Sequence, residues 1–122
     1  MARFLSTRAH GTIDYLSAAM LVAGPRAMGW EPRLVSALDV LAGATVAYSL
    51  LTDYELGAVR LVPMPAHLAL DGLNAATTLA LPRLLGLRDR RIAGCLVAVA
   101  AFELAVTLAT RTAPEAARRA RP

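Results

Sequence analysis

Lysine is missing from this chain altogether, and cysteine, aromatic residues and charge are all scarce. The 122 residues include 13 basic side chains, every one of them arginine, and a single cysteine, Cys95. One cysteine excludes a disulfide framework, a CxxC redox pair, a thiolate zinc site and the CxxCH attachment of a covalent haem. Cys95 itself reads as a small apolar residue on a buried helix. Charged residues make up 18% of the chain and hydrophobic ones 57%, with a mean hydropathy of +0.50. A soluble domain carries charge on about a quarter of its residues, so the balance points to a membrane. Aromatics are only 5%, and almost none lie among the arginines of 83–91 and 111–121. Those clusters and the net charge of +4 therefore suit anionic lipid headgroups better than nucleic acid. No Ser-His-Asp arrangement and no Gly-rich phosphate loop is present, which leaves catalysis little support.

What the chain does have is an internal repeat, the first thing to seek in any sequence. HGTIDYLSAAMLVAGP (10–25) aligns without a gap on HLALDGLNAATTLALP (67–82), at an offset of 57. His10 matches His67, Asp14 matches Asp71 and Pro25 matches Pro82. The basic start MARFLSTR precedes an apolar run, as in a signal peptide, but His10 and Asp14 interrupt that run and the repeat makes it part of the fold.

Four apolar segments follow, near 7–25, 34–52, 64–82 and 92–110. Each has about 19 residues, close to the roughly 20 that cross a bilayer as a helix. The second holds one charge, Asp39, and the fourth one, Glu103; neither shows the charged stripe of a soluble amphipathic helix. The expected fold is therefore all-α, a four-transmembrane-helix bundle in the cell (inner) membrane. It forms a single domain over 1–122: repeat 1 about 7–52, an interfacial linker about 53–63, repeat 2 about 64–110 and a basic tail 111–122. Pro25 and Pro82 are expected to stop helices 1 and 3, and Pro63 and Pro65 to open helix 3. Each repeat has two spans, so the copies point the same way, about a pseudo-two-fold axis along the membrane normal. Seven arginines on one side against six on the other barely favour cytoplasmic termini. In the linker, Thr52 and Glu55 have capping-box spacing, which predicts a short interfacial helix over about 53–61; the rival reading makes Thr52 simply the end of helix 2. Small residues at four-residue spacing (Gly43 with Ala47; Ala101, Ala105 and Ala109) allow close packing of helices within the chain or in a homo-oligomer.

His67, Asp71, Asn74 and Thr78 share one helix face, as do His10, Asp14 and Ser17. In lipid such a stripe must face the bundle interior. Asp14 and Asp71 each lie 11 residues before their proline, roughly 16 Å along a helix. Glu103 enters at a similar depth, and Tyr48 and Thr107 come one turn further. The expectation is a polar layer of His10, Asp14, His67, Asp71, Glu103 and Tyr48, bordered by Asn74 and Thr107. Asp39 stands apart, expected to pair with Arg33 or Arg83.

Paired membrane helices ending at a proline, with LTDYELGAVRLVPMPAHLALDGLNA between the copies, resemble the SPW-repeat family of small bacterial integral membrane proteins. The resemblance runs from about residue 10 to 110. It implies a four-span protein of two two-helix units and brings no catalytic residue with it.

Three functions fit this layer. It can support helix packing or assembly with a membrane-protein partner, His and Asp at i, i+4 satisfying each other. It can hold a transition metal on His10, Asp14, His67, Asp71 and Glu103, or a haem between His10 and His67, with redox activity. Or it can carry protons in a proton-coupled small transporter.

Overall fold

The computed structural model describes residues 2–121. It is all-helical: α1 (Thr7–Ala27), α2 (Pro32–Leu50), α3 (Met64–Leu84), α4 (Arg90–Ala109) and a short α5 (Glu115–Arg119). Each long helix starts where its sequence supplies a stop for the exposed N–H groups. The Ser6 hydroxyl accepts from Ala9 N–H at 3.1 Å, and Asp89 accepts from Arg91 and Ile92. At α2 and α3 a proline occupies the first turn, where its missing N–H costs nothing.

The prolines expected to end helices 1 and 3 lie inside them, two residues before Ala27 and Leu84. Glycine makes the turn instead. Gly29 and Gly86 take φ of 64° and 65°, the left-handed conformation that a Cβ disfavours. The next N–H groups, of Trp30 and Leu87, then return to the Pro25 and Pro82 carbonyls at 2.9 and 2.8 Å. Each proline thus supplies the acceptor of the terminal turn.

α1 packs along α2, α3 along α4, and α2 against α3. The start of α1 lies beside the end of α4, and the start of α3 beside the end of α2. Thus His10 meets Thr110 at 2.8 Å and His67 meets Thr52 at 2.7 Å. The two helix pairs therefore run the same way about a pseudo-two-fold axis. α1 and α3 correspond at the offset of 57. α2 and α4 correspond at 58, because Leu38 with Leu96, Ala42 with Ala100, Ser49 with Thr107 and Thr52 with Thr110 are buried as pairs. Leu34, Leu38, Leu96, Ala18, Leu21 and Leu81 form the apolar core towards the Pro25 and Pro82 end.

Among the described residues, α2 and α4 are long and apolar enough to cross a membrane. α1 and α3 fall below that composition because they carry the ionisable side chains of the repeat. The small-residue stripe does not join these helices: Gly43, Ala47, Ala101 and Ala105 are exposed, and only Ala109 is buried.

No helix forms over 53–61. The Thr52 hydroxyl donates back to the Tyr48 carbonyl at 2.6 Å and meets His67 Nδ1 at 2.7 Å, so it is turned to its own helix and to α3 rather than to a following turn. The linker instead folds onto the end of α2, with Asp53 N–H on Val62 O and Val62 N–H on Leu51 O at 2.9 and 2.8 Å. Tyr15 holds it from α1 through the Leu56 carbonyl at 3.0 Å. Glu55 reaches both ends of the chain, accepting from the Thr7 hydroxyl at 2.6 Å and from Glu115 N–H at 3.1 Å. Burial alone would raise the Glu55 pKa, but these bonds, its own N–H and nearby Arg8 hold it below the ordinary carboxylate value.

Two predictions follow from these contacts. A Cβ at Gly11 would meet the Tyr54 ring, with Cζ at 2.8 Å, whereas one at Gly43 meets nothing within 4 Å. Gly11→Ala should destabilise by about 1–3 kcal/mol, the usual cost of overpacking, and Gly43→Ala should not; thermal melts in detergent compare them. Glu55, with its pKa depressed on folding, stabilises above its unfolded pKa, and that stability is lost as pH falls through the lower folded value. The melting temperature should fall in this acid range, and less steeply in Glu55→Gln.

Candidate metal centre

Four ionisable side chains meet where the early turns of α1 and α3 face each other. Histidine and aspartate at i, i+4 project from the same side of a helix, and the pseudo-two-fold axis brings the two pairs together. The Nε2 atoms of His10 and His67 stand 3.1 Å apart. Asp71 Oδ2 lies 2.9 Å from His10 Nε2 and 3.4 Å from His67 Nε2; Asp14 Oδ2 lies 3.2 and 3.0 Å from the same two atoms. Both histidines are at most 1% exposed and both aspartates at most 7%. Each residue offers one ligand atom, and the four lie within 4.8 Å of one another.

The threonines set the direction of the imidazoles. Thr110 Oγ1 donates its one hydrogen to the Val106 carbonyl at 2.6 Å, as Thr52 does to Tyr48. Each hydroxyl is thereby left as an acceptor for the imidazole, so His10 Nδ1 and His67 Nδ1 carry N–H. In the neutral rings both lone pairs then sit on Nε2 and point into the same small space. Two lone pairs at 3.1 Å repel unless a proton or a metal cation lies between them. A hydrogen bond that fixes the far nitrogen is the usual outer partner of a metal-binding histidine.

A metal with bonds of about 2.05 Å at tetrahedral angles separates its ligand atoms by roughly 3.3 Å. Five of the six separations, one nitrogen–nitrogen and four nitrogen–oxygen, are 2.9 to 3.4 Å and lie close to that edge. Two neutral imidazoles and two carboxylates also balance one divalent cation. A haem is different: its iron would hold the nitrogens about 4 Å apart on opposite faces of a wide ring. The 3.1 Å gap leaves no room for that ring.

The other residues of the expected layer surround this cluster. Tyr48 donates to Asp71 Oδ1 at 2.7 Å and sets its ring edge-on to His67, centroids 5.0 Å apart. Asn74 lies one turn deeper and donates to Thr45 Oγ1 at 3.0 Å. Thr107 is buried, but its hydroxyl donates to the Glu103 carbonyl. Glu103 is outside the four-ligand group; it lines a cavity of about 20 Å³ that also touches His10, Asp14, Asp71 and Tyr48. That space suits one water. Asp39 pairs with Arg26, through two bonds of 2.7 and 2.6 Å, and not with Arg33 or Arg83. Arg33 turns instead to Glu31 and the Leu85 carbonyl.

Thr52, Thr110, Ser49 and Thr45 complete the site and were not legible as its members. Ser49 donates to Asp14 Oδ2 at 3.4 Å. A search of the second helices at an offset of 58 would have paired Thr52 with Thr110 and Ser49 with Thr107. Tyr54 closes the site from the linker side, 3% exposed and tilted over His67 at 5.5 Å. Burial pushes its phenol above the ordinary range, so it stays neutral at physiological pH.

Comparison with protein-family models, with curated proteins and with solved structures returns no match to this chain.

The threonine bonds predict the tautomers directly. At neutral pH, ring-nitrogen NMR should find both imidazoles protonated at Nδ1. Thr110→Val should release His10 from that tautomer while His67 keeps it, and Thr52→Val should do the reverse. Nε2–H tautomers in the unaltered protein would contradict the assignment.

Proposed function

We propose that this chain is a four-span membrane protein that holds one divalent transition-metal ion on His10, His67, Asp14 and Asp71. The observation that carries this is the pair of Nε2 atoms at 3.1 Å, each with its other nitrogen bonded to a threonine. Imidazole and carboxylate together suit zinc, iron or manganese, and five of the six ligand–ligand separations close to a tetrahedral edge favour zinc. The water-sized cavity beside the cluster gives the ion room for one further small ligand. Structural support of helix packing follows from the same bonds, because the ion ties α1 to α3.

The membrane placement rests on what faces outward. The most apolar windows of α2 and α4 are only 28% and 22% buried, whereas the core helix of a soluble protein would be mostly buried. Leu16, Met20, Val40, Leu73 and Phe102 are all more than half exposed. Nineteen to twenty-one residues per helix give about 30 Å, the thickness of the hydrocarbon layer. α1 and α3 span with α2 and α4 because their His and Asp side chains are turned inward and buried. Two parallel two-helix units of this kind match the plan that the SPW-repeat resemblance implies.

Elemental analysis of detergent-purified protein tests the metal. One equivalent per chain is expected, and cobalt loading should give the intense visible bands of a tetrahedral ion. His10→Ala/His67→Ala should abolish both, and Thr52→Val/Thr110→Val should weaken affinity by about 10–100-fold. A colourless, metal-free wild type would leave the cluster as a proton-sharing structural pair.

A further inference from the structure

The pseudo-two-fold axis relates two seams, α2 with α3 and α4 with α1, and the two are built differently. Along the first, Asn74 donates to Thr45 at 3.0 Å and Tyr48 to Asp71 at 2.7 Å. The corresponding residues on the second are Ser17 for Asn74, Glu103 for Thr45 and Val106 for Tyr48. Valine has no hydroxyl for Asp14. Glu103 Oε2 is shielded from solvent and has no hydrogen-bond partner.

Where those replacements stand, the seam is open. A groove of about 630 Å³ runs between α1 and α4, lined by apolar side chains that include Leu16, Met20, Trp30, Val99 and Phe102. Ser17 and Glu103 belong both to its wall and to the wall of the water-sized cavity at the His/Asp cluster. The groove therefore leads from the outer surface to a carboxylate that lacks a partner. From Arg91 in the first turn of α4, which shares a pocket with Trp30, to Glu103 is 12 residues, or about 18 Å.

An unpaired carboxylate in an apolar trough is costly until a cation or a donor reaches it. Asp14 and Asp71 already face the two imidazoles at 2.9 to 3.4 Å, which leaves the Glu103 carboxylate over. We propose that the α1/α4 groove binds a single-chain cationic amphiphile, its tail along the groove towards Trp30 and its protonated amine on Glu103. This rests on the membrane placement above, since the groove then opens to lipid, but not on the metal.

Trp30 is the chain's only tryptophan, so its fluorescence reports the groove. The test titrates a long-chain primary amine, brominated at its tail as a quencher, into detergent-purified full-length protein, beside the fatty acid of the same chain. Saturable quenching by the amine is expected, at concentrations at least about tenfold below those of the acid. Glu103→Gln should remove that preference. Ala98→Phe leaves Glu103 in place but fills the groove, and should abolish the saturable quenching. Equal quenching by amine and acid, unchanged in Glu103→Gln, would overturn the proposal and leave a seam filled by lipid. Tighter binding of the acid would overturn it too. Metal content is measured on the same samples: amine binding without metal leaves the groove standing alone, and metal without amine binding leaves only the cluster. A chain soluble without detergent would sink the membrane placement while amine binding remained measurable.

Discussion

Two histidines are held with their Nε2 atoms 3.1 Å apart, and both are prevented from turning their protons towards each other. Thr52 and Thr110 spend their own hydrogens on helix carbonyls and accept from Nδ1, which fixes each ring. The space between the Nε2 atoms must therefore contain positive charge, and the buried Asp14 and Asp71 carboxylates supply its balance. Burying this many ionisable groups without such pairing would cost several kcal/mol per ion. Helix packing, the linker roof over His67 and the direction of the two helix pairs all serve that one arrangement.

Repetition makes the arrangement, and departures from repetition give it access. α1 and α3 carry the same His, Asp and Pro at the same depth, so a two-fold axis is enough to bring four ionisable side chains together from two helices. α2 and α4 match each other in their buried leucine, alanine and hydroxyl positions but differ at Thr45/Glu103 and Tyr48/Val106. The first member of each pair seals a seam with hydrogen bonds. The second leaves a carboxylate oxygen unpartnered at the inner end of an apolar groove. One side of the cluster is closed by protein, and the other faces whatever fills that groove.

Much of this was legible in the sequence because it depends on spacing. The i, i+4 pair of His67 and Asp71 and its copy at His10 and Asp14 fixed the helix face, and the offset of 57 fixed the partner. Helix bounds followed from apolar runs to within about two residues. The glycine caps were less visible, because proline draws the eye as a breaker although one in the last turn can serve as an acceptor. The Asp39 partner depended on which loop arginine could reach back, and Arg26, in the last turn of α1, was nearer than Arg33. Thr52 carried two readings, a cap of a new helix and the end of helix 2, and its hydroxyl bond to the preceding turn of its own helix decides for the second. Glu103 lay at the right depth, and it lines the small cavity beside the cluster without belonging to the four clustered side chains. No periodicity within α4 distinguishes those two places.

X-ray absorption at the metal edge of the zinc-loaded protein reads the proposed ligand shell itself. Two imidazole nitrogens and two carboxylate oxygens at about 2.0 Å in a four-coordinate shell are the predicted result. A six-oxygen shell, or a sulfur neighbour from exposed Cys95, would place the ion elsewhere and contradict it.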